Sequence, residues 1–209
     1  MSDENAVKGV TRHLGHIGRL VDGRVSRLQE AATGSVDAPW ARAVLAGLRS
    51  AVRQEPGSVP EVWEWTEVEV GPHASDDPTP EEWAVHAALC LYAIHQQGRP
   101  DKMHRQGHGL GGAVRELAGG DAGLDSPVRR RFAKVLTAGS TEECLHHLRG
   151  LVTQFRSAQP SIGLDYAMLA EDILRLQQPG GAPAVRLRWS RQYYRTSHED
   201  NNPIVKENN

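Results

Sequence analysis

The sequence predicts an all-α fold, a compact multi-helix bundle of about seven to nine helices built as one body or as two packed sub-bundles. Three observations predict it. Leu, Val and Ala are common while Phe and Tyr number only 2 and 4, a balance that favours helix over sheet. Apolar residues recur at spacings of three and four along most of the chain. Pro, Ser or Thr opens many of these runs and Gly closes them, as helix boundaries require, and no alternating run of strand type is found.

The first segment, residues 1–37, reads as a partly helical N-terminal extension. Leu14, Ile17, Leu20, Val21, Val25 and Leu28 give it a helical period, which Gly9, Gly15, Gly18 and Gly23 weaken. A clearer helix opens at Pro39 and stops at Pro56-Gly57, with Trp40, Val44, Leu48 and Val52 as its predicted buried face. Residues 55–80 form an acidic, proline-rich loop, which Trp63 and Trp65 are expected to pin to the body. Thr79 then caps, Pro80 opens and Gly98 closes a helix that is apolar on most sides. A polar connector, "RPDKMHRQGHG", leads to a short helix at 109–118. Helices at 127–138 and 140–157 follow. The second opens on "STEE", a capping-box signature of Ser140 with Glu143. "GLDYAMLAEDILRLQ" is an amphipathic helix, "PGGAPA" breaks it, and "VRLRWSRQYYR" is a last short helix. Residues 196–209 read as a disordered polar tail.

Composition narrows the function classes. Two cysteines, Cys90 and Cys144, make no disulfide framework and suit a reducing cytoplasm. The polar start "MSDENAVKGV" is not a secretory signal, and "AVHAALCLYAI" is too short to span a bilayer, so a cytoplasmic protein without a membrane partner is expected. The formal net charge of -2 hides a segregation. Nine acids and no Lys or Arg lie between Glu55 and Glu82, whereas Trp83 to Arg195 carries fifteen basic and nine acidic residues. Most of the basic residues are Arg, whose planar fork suits phosphate.

Three of the predicted helices carry arginines off the apolar face. On a helical wheel Arg42, Arg49 and Arg53 fall nearly one above another. Arg130, Arg131 and Lys134 lie away from the stripe of Val128, Phe132, Val135 and Leu136. Leu145, Leu148, Val152 and Phe155 are read as packing inward, while Arg149 and Arg156 align two turns apart. Few acids stand at i+4 to pair with them, and Arg129 to Arg131 oppose the dipole at a helix start. Charge that costs helix stability points to an external anion, and spaced stripes fit a polyanion better than a single phosphate.

Other constellations read as structural. His95, His104 and His108 flank the connector, and Cys144 precedes His146 and His147. Gly107 and Gly109 disfavour a helix that would join His104 to His108 at a metal, so no metal is expected. Cys90 belongs to the core. "GHGLGG" lacks the Lys-Ser/Thr and the preceding strand of a phosphate loop. Asp165, Glu171 and Asp172 read as surface charge rather than an acid/base pair, and Trp189 and Tyr193, four apart, read as core.

The order of motifs resembles a known family. "ARAVLAGLRSAVRQEPGSVPEVW", "LGGAVREL", "VRRRFAKVLTAGSTEECLHHLRGLV", "LDYAMLAEDILRLQ" and "VRLRWSRQYYR" resemble the CasB small subunit of the type I-E CRISPR Cascade complex over residues 38–195. Gly109 and Gly112 stand where that family tends to have Ser and a basic residue, and Ser190 replaces a usual Gly. The resemblance implies a helical, non-catalytic protein without cofactor or small-molecule substrate. Its implied partners are the other Cascade subunits, a second copy of itself, the guide RNA, the target DNA and the displaced single strand of the R-loop. Carried over by position, the implied nucleic-acid contacts are Arg130, Arg131 and Arg149, then Arg42, Arg49 and Arg53, then Lys102, Arg105 and Arg156. Two other classes stay open on the residues alone. The tight turn between 127–138 and 140–157 would suit a helix-turn-helix transcriptional regulator, although Glu142 and Glu143 would repel phosphate. A metal-dependent hydrolase would use the histidines.

Overall fold

In a computed structural model, residues 12–34, 38–69, 71, 76–119 and 126–194 are described. The 196–209 tail, Arg195, the first eleven residues of the N-terminal extension and parts of the acidic loop lie outside them. Among the described residues nine α-helices follow one another: α1 His16–Thr33, α2 Pro39–Ala51, α3 Trp63–Thr66, α4 Pro80–Gln96, α5 Leu110–Leu117, α6 Pro127–Thr137, α7 Thr141–Ser157, α8 Tyr166–Leu176 and α9 Gly181–Tyr194. There is no strand among them, only one isolated parallel bridge between His104 and Leu164. Among the described residues no helix is long and apolar enough to cross a membrane.

Helix α4 is the hub. It is buried almost all round, from Ala84 to Ala93 and at His95 and Gln96. Its N-terminus is held by a complete capping box. Thr79 accepts from the Glu82 amide, and Glu82 accepts from the Thr79 amide at 2.7 Å. Helices α1, α2, α7 and α8 pack around it, α5 packs on α9, and α6 packs on α7. Apolar residues of α1, α2 and α4 to α9 form one contiguous core, with Leu28, Leu48, Leu89, Phe155, Leu164 and Trp189 among its fully buried side chains. Trp189 and Tyr193 are core, as their spacing predicts.

Several local expectations are corrected. Helix α1 is continuous despite its glycines, and the reason lies in α8. Glu171 reaches across to accept the Gly18 amide at 2.6 Å, satisfying a first-turn donor of α1, and a Cβ on Gly18 would stand 2.8 Å from that carboxylate. The buried face of α2 is Ala41, Leu45, Leu48 and Ala51, so Trp40 is 43% exposed. The acidic loop contains a 3-10 turn, Pro60–Val62, and α3. Trp65 does anchor it, stacking on Trp40 at 5.7 Å while Arg27 lies over both rings, whereas Trp63 faces solvent. The Ser140 box is half formed: Ser140 accepts from the Glu143 amide, but Glu143 accepts from Gly139 instead. Helix α9 begins at Gly181, within the segment read as a break.

The acids of α8 are not surface charge. Asp165 is fully buried. One of its oxygens caps α8 by accepting from the Ala167 and Met168 amides at 3.0 Å. The other accepts from Gly107 and from Arg12 Nε, both at 2.7 Å. Arg12 also pairs with Asp22 on α1, which accepts in turn from His104 Nε2 at 3.0 Å. Gln29 brackets the backbone of His104 with two hydrogen bonds. Asp172 is buried too, accepting from Trp189 Nε1 at 2.5 Å and pairing with Arg188. Both acids sit where desolvation demands complete pairing, and both have it.

Candidate nucleic-acid interface

The arginine stripes meet on one side of the bundle. Helix α2 ends beside α4, and α4 packs on α7, which packs on α6. A groove of about 830 Å³ runs between the end of α2, the first turns of α4 and the start of α7. Arg53, in the turn that follows α2, and Arg149 from α7 both line it, with Trp83 and His86 from α4 and His146 from α7. Arg131 of α6 lies against α7 at Gly150, its Cδ 3.9 Å from where a Cβ there would stand. Glu55 and Glu142 are the carboxylates on the groove wall.

Arg49 extends the basic track. Partial burial, and then the positive charge of Arg156, lower its pKa, so the Arg49 guanidinium lies within electrostatic reach of a like charge. Like charges held together on a folded surface are an anion site in waiting. Arg156 also has a structural task. Its Nη1 donates to the Ile94 carbonyl at 3.3 Å and to Gln97 Oε1 at 2.8 Å, closing the C-terminus of α4, where the helix dipole favours a cation.

The remaining predicted contacts are placed differently. Arg130 and Arg131 are exposed on α6 and Arg42 is exposed near the start of α2. Arg42, Arg129 and Arg130 each interact within the chain, so these stripes are not bare charge. Arg129 lies over the Tyr194 ring at 5.8 Å, which gives one of the opposing arginines a partner on α9. Lys102 and Arg105 are exposed on the connector and do not line the groove. Arg105 pairs with Glu116 at 3.5 Å.

The groove residues that sequence reasoning missed are Trp83, His86 and Gln177. His86 and Trp83 sit on the helix read as apolar on most sides, and only their three-residue spacing puts them on one face. The histidines weighed for a metal are spread through the fold. His104 accepts from the Tyr166 amide and donates to Asp22, and His108 donates to the Gly163 carbonyl. Among the described residues no group of three or more His, Cys, Asp or Glu is placed to hold a metal ion. Both cysteines are buried, and desolvation pushes their thiols up to about 12.

Comparison with known proteins decides the lineage. The model of the CRISPR-associated protein Cse2 family matches residues 44–194. The chain belongs to the Cse2 family. Its fold is similar to the crystal structure of CasB from Thermobifida fusca, at 35% identity and a TM-score of 0.73, over 88% of this chain and all of that one. It is also similar to a Cse2-family CRISPR-associated protein from Thermus thermophilus, at 27% identity and a TM-score of 0.59, over 87% of this chain and 99% of that one. A CasB structure from the same organism gives the same TM-score at 26% identity, with the same coverage of the two chains. No curated protein matches by sequence. The part matched by the Cse2 model takes in all the helices that carry the basic track, α2 from Val44 onward, α6 and α7.

Proposed function

We propose that this Cse2-family chain is a non-catalytic small subunit of a cytoplasmic, RNA-guided type I-E CRISPR surveillance complex, Cascade, and that it steadies the R-loop by holding nucleic-acid backbone along its arginine track. The observation that carries the reading is the groove that Arg53 and Arg149 share, with Arg131 of α6 against α7 at Gly150 and Arg49 within electrostatic reach of Arg156. These contacts carry no base-reading geometry, which suits a role indifferent to sequence. Exchange of a DNA duplex for a guide–target heteroduplex is nearly balanced, so a few backbone contacts are enough to tip it. Guide RNA, target DNA, the displaced strand, the other Cascade subunits and a second copy of the chain are the partners of this proposal. Arg42 and Arg130, and Lys102 and Arg105 on the connector, are further backbone contacts of this proposal.

The regulator reading has weaker support. Helix α7 would be the recognition helix, yet it is packed between α4, α5 and α6 and opens on Glu142 and Glu143.

The test is R-loop stability in the assembled complex across a salt series. Arg53→Ala, Arg131→Ala and Arg149→Ala together should keep helicity and assembly while lowering the salt slope by about one per lost contact. R-loops as stable as wild type at every salt concentration would defeat the assignment. Recovery of the tagged chain without repeat-derived RNA and larger partners would defeat membership in the complex.

A further inference from the structure

The connector after α4 carries two of the proposed contacts, Lys102 and Arg105, at the other end of that helix from the groove. Arg105 is not bare there. Its Nη1 lies 3.5 Å from Glu116 Oε2 on α5, and His108 Nε2 lies 3.2 Å from the same oxygen. Both side chains rest on Gly163, just before α8. A Cβ on Gly163 would stand 2.7 Å from Arg105 Cβ, so the arginine stem lies across that residue. His108 Nδ1 meets the Gly163 carbonyl at 2.7 Å. One carboxylate oxygen thus has two claimants held on a common support.

The two claims are not equal. A carbonyl only accepts, so His108 Nδ1 carries the hydrogen. In the neutral ring Nε2 is then a lone pair facing a carboxylate oxygen, a contact that becomes a hydrogen bond only when the ring is protonated. The charged groups around the ring are Arg105 on the connector and Glu116 and Arg115 on α5, and the segment before α8 supplies the Gly163 carbonyl. Burial lowers the pKa of His108 from 6.5, against the Gly163 carbonyl; Arg105 and Arg115 lower it further and Glu116 raises it. Near neutral pH the ring of the free chain is therefore uncharged, and Glu116 goes to Arg105. A phosphate at Arg105 reverses both conditions. It neutralises a charge that kept the proton off the ring, and it frees Glu116 to meet Nε2. The His108 side chain is 18% exposed, so a proton reaches it from water.

We infer that Glu116 is an exchangeable counter-anion for Arg105: it occupies the guanidinium in the free chain, and a backbone phosphate arriving at Arg105 displaces it onto His108, which takes up one proton from water. This exchange rests on the backbone-binding reading above and makes one of its contacts proton-linked. Glu116 has a cationic partner at both stages, Arg105 before the phosphate arrives and the imidazolium afterwards. Because the bound state holds the proton more tightly, binding strengthens as pH falls through the ordinary histidine range and is indifferent to pH well above it.

The test is the anisotropy of a rhodamine-labelled, mixed-sequence oligodeoxynucleotide of about twelve residues on the full chain, from pH 8 to pH 6 at constant ionic strength. Wild type should bind about three- to tenfold more tightly at pH 6, one linked proton allowing at most about tenfold per pH unit. His108→Asn, whose amide takes the place of Nδ1–H, should bind as wild type does at pH 8 and lose that gain. Glu116 is exposed, so Glu116→Gln tests the exchange even where His108→Asn disturbs the fold. It should bind up to about fivefold more tightly at pH 8, the worth of an exposed ion pair, and gain less on acidification. Arg105→Ala should weaken binding, lower the salt slope by about one and abolish the gain. A gain that persists in His108→Asn, as one carried by His146 in the groove would, overturns the exchange. So does Glu116→Gln binding no more tightly than wild type at pH 8. With Arg105→Ala still weakened, either result leaves the backbone reading standing. If Arg105→Ala binds like wild type, or wild type does not bind at all, the contact and the exchange fall together.

Discussion

The seam between α1 and α8 and the face formed by α2, α6 and α7 are built from the same residue types and put them to opposite uses. At the seam every charge has its counterpart. Arg12 bridges Asp22 and Asp165, His104 meets Asp22, and Asp165 spends its second oxygen on the first turn of α8. On the other face Arg49 lies within reach of the like charge of Arg156, and Arg53 and Arg149 share a groove with a tryptophan. Charge neutralised inside the chain holds the fold. Charge left facing its own sign costs stability and is satisfied only by something that binds. The difference separates folding residues from binding residues without any ligand in view.

The sharpest way to break the comparison is at Asp165. Asp165→Ala strips partners from Arg12, Gly107, Ala167 and Met168 at once. It should cost about 3 to 5 kcal/mol, the range for removing one member of a buried ion pair. Urea unfolding measures it. A loss under about 1 kcal/mol would mean the seam is no more than a surface ion pair. Next comes Gly111→Ala on α5. A Cβ there would stand 2.0 Å from the Trp189 carbonyl oxygen, backbone against backbone, so α5 and α9 must part. The cost should be about 1 to 3 kcal/mol. Neither variant touches the groove, so any R-loop defect should follow the loss of folded protein and no more.

Local signals are the ones a sequence carries best. Pro39, Thr79 with Pro80, and Ser140 mark real helix starts, because capping is a matter between a residue and the amides that follow it. Arg53 and Arg149 are legible as candidates, since the apolar stripes of their helices say which side is out. That they share one groove is not legible, because it depends on how α2 and α7 sit on α4. Hydropathy misplaces Asp165 and Asp172 because it counts every carboxylate as exterior. The clue is their seven-residue spacing, which sets both on the same side of α8 as Met168, Leu169 and Ile173, all buried. Gly18 misleads for a related reason. A glycine in a helix is a flaw when the helix is alone and an opening when Glu171 of a neighbour must reach its backbone.

The buried histidines sharpen the comparison through pH. His95 Nδ1 hydrogen-bonds with the Tyr166 hydroxyl at 2.8 Å, and burial, with Arg156 and Arg99 nearby, lowers its pKa from 6.5 to about 3. The depressed group stabilises the fold fully above pH 6.5. As pH falls from there toward 3, the unfolded chain takes up a proton that the native one refuses, so stability drops. One such group gives a slope of up to about 1.4 kcal/mol per pH unit. His86, lowered in the same direction, adds to it. Asp22, lowered below its 3.8, adds a further loss only in stronger acid. Urea midpoints taken from pH 7 to 4 should therefore fall steadily, and His95→Gln should flatten that slope whatever it does to the midpoint at pH 7. An unchanged slope in the variant would place the titrating group elsewhere.

The smallest effect is the most telling, because its two readouts should move in opposite directions. Arg49→Met keeps the aliphatic stem against the bundle and removes the charge that Arg156 opposes. Relief of that repulsion is screened by solvent, so the gain in stability should be at most about 0.5 kcal/mol. The same variant should weaken single-strand binding and lower its salt slope by about one, as the loss of one phosphate contact does. A residue kept for the fold would lose stability when changed, and a neutral surface arginine would leave both readouts still. Only a residue held at a cost for a ligand gains stability while losing affinity, and Arg49 is the position on the basic face where burial and like charge already show that cost.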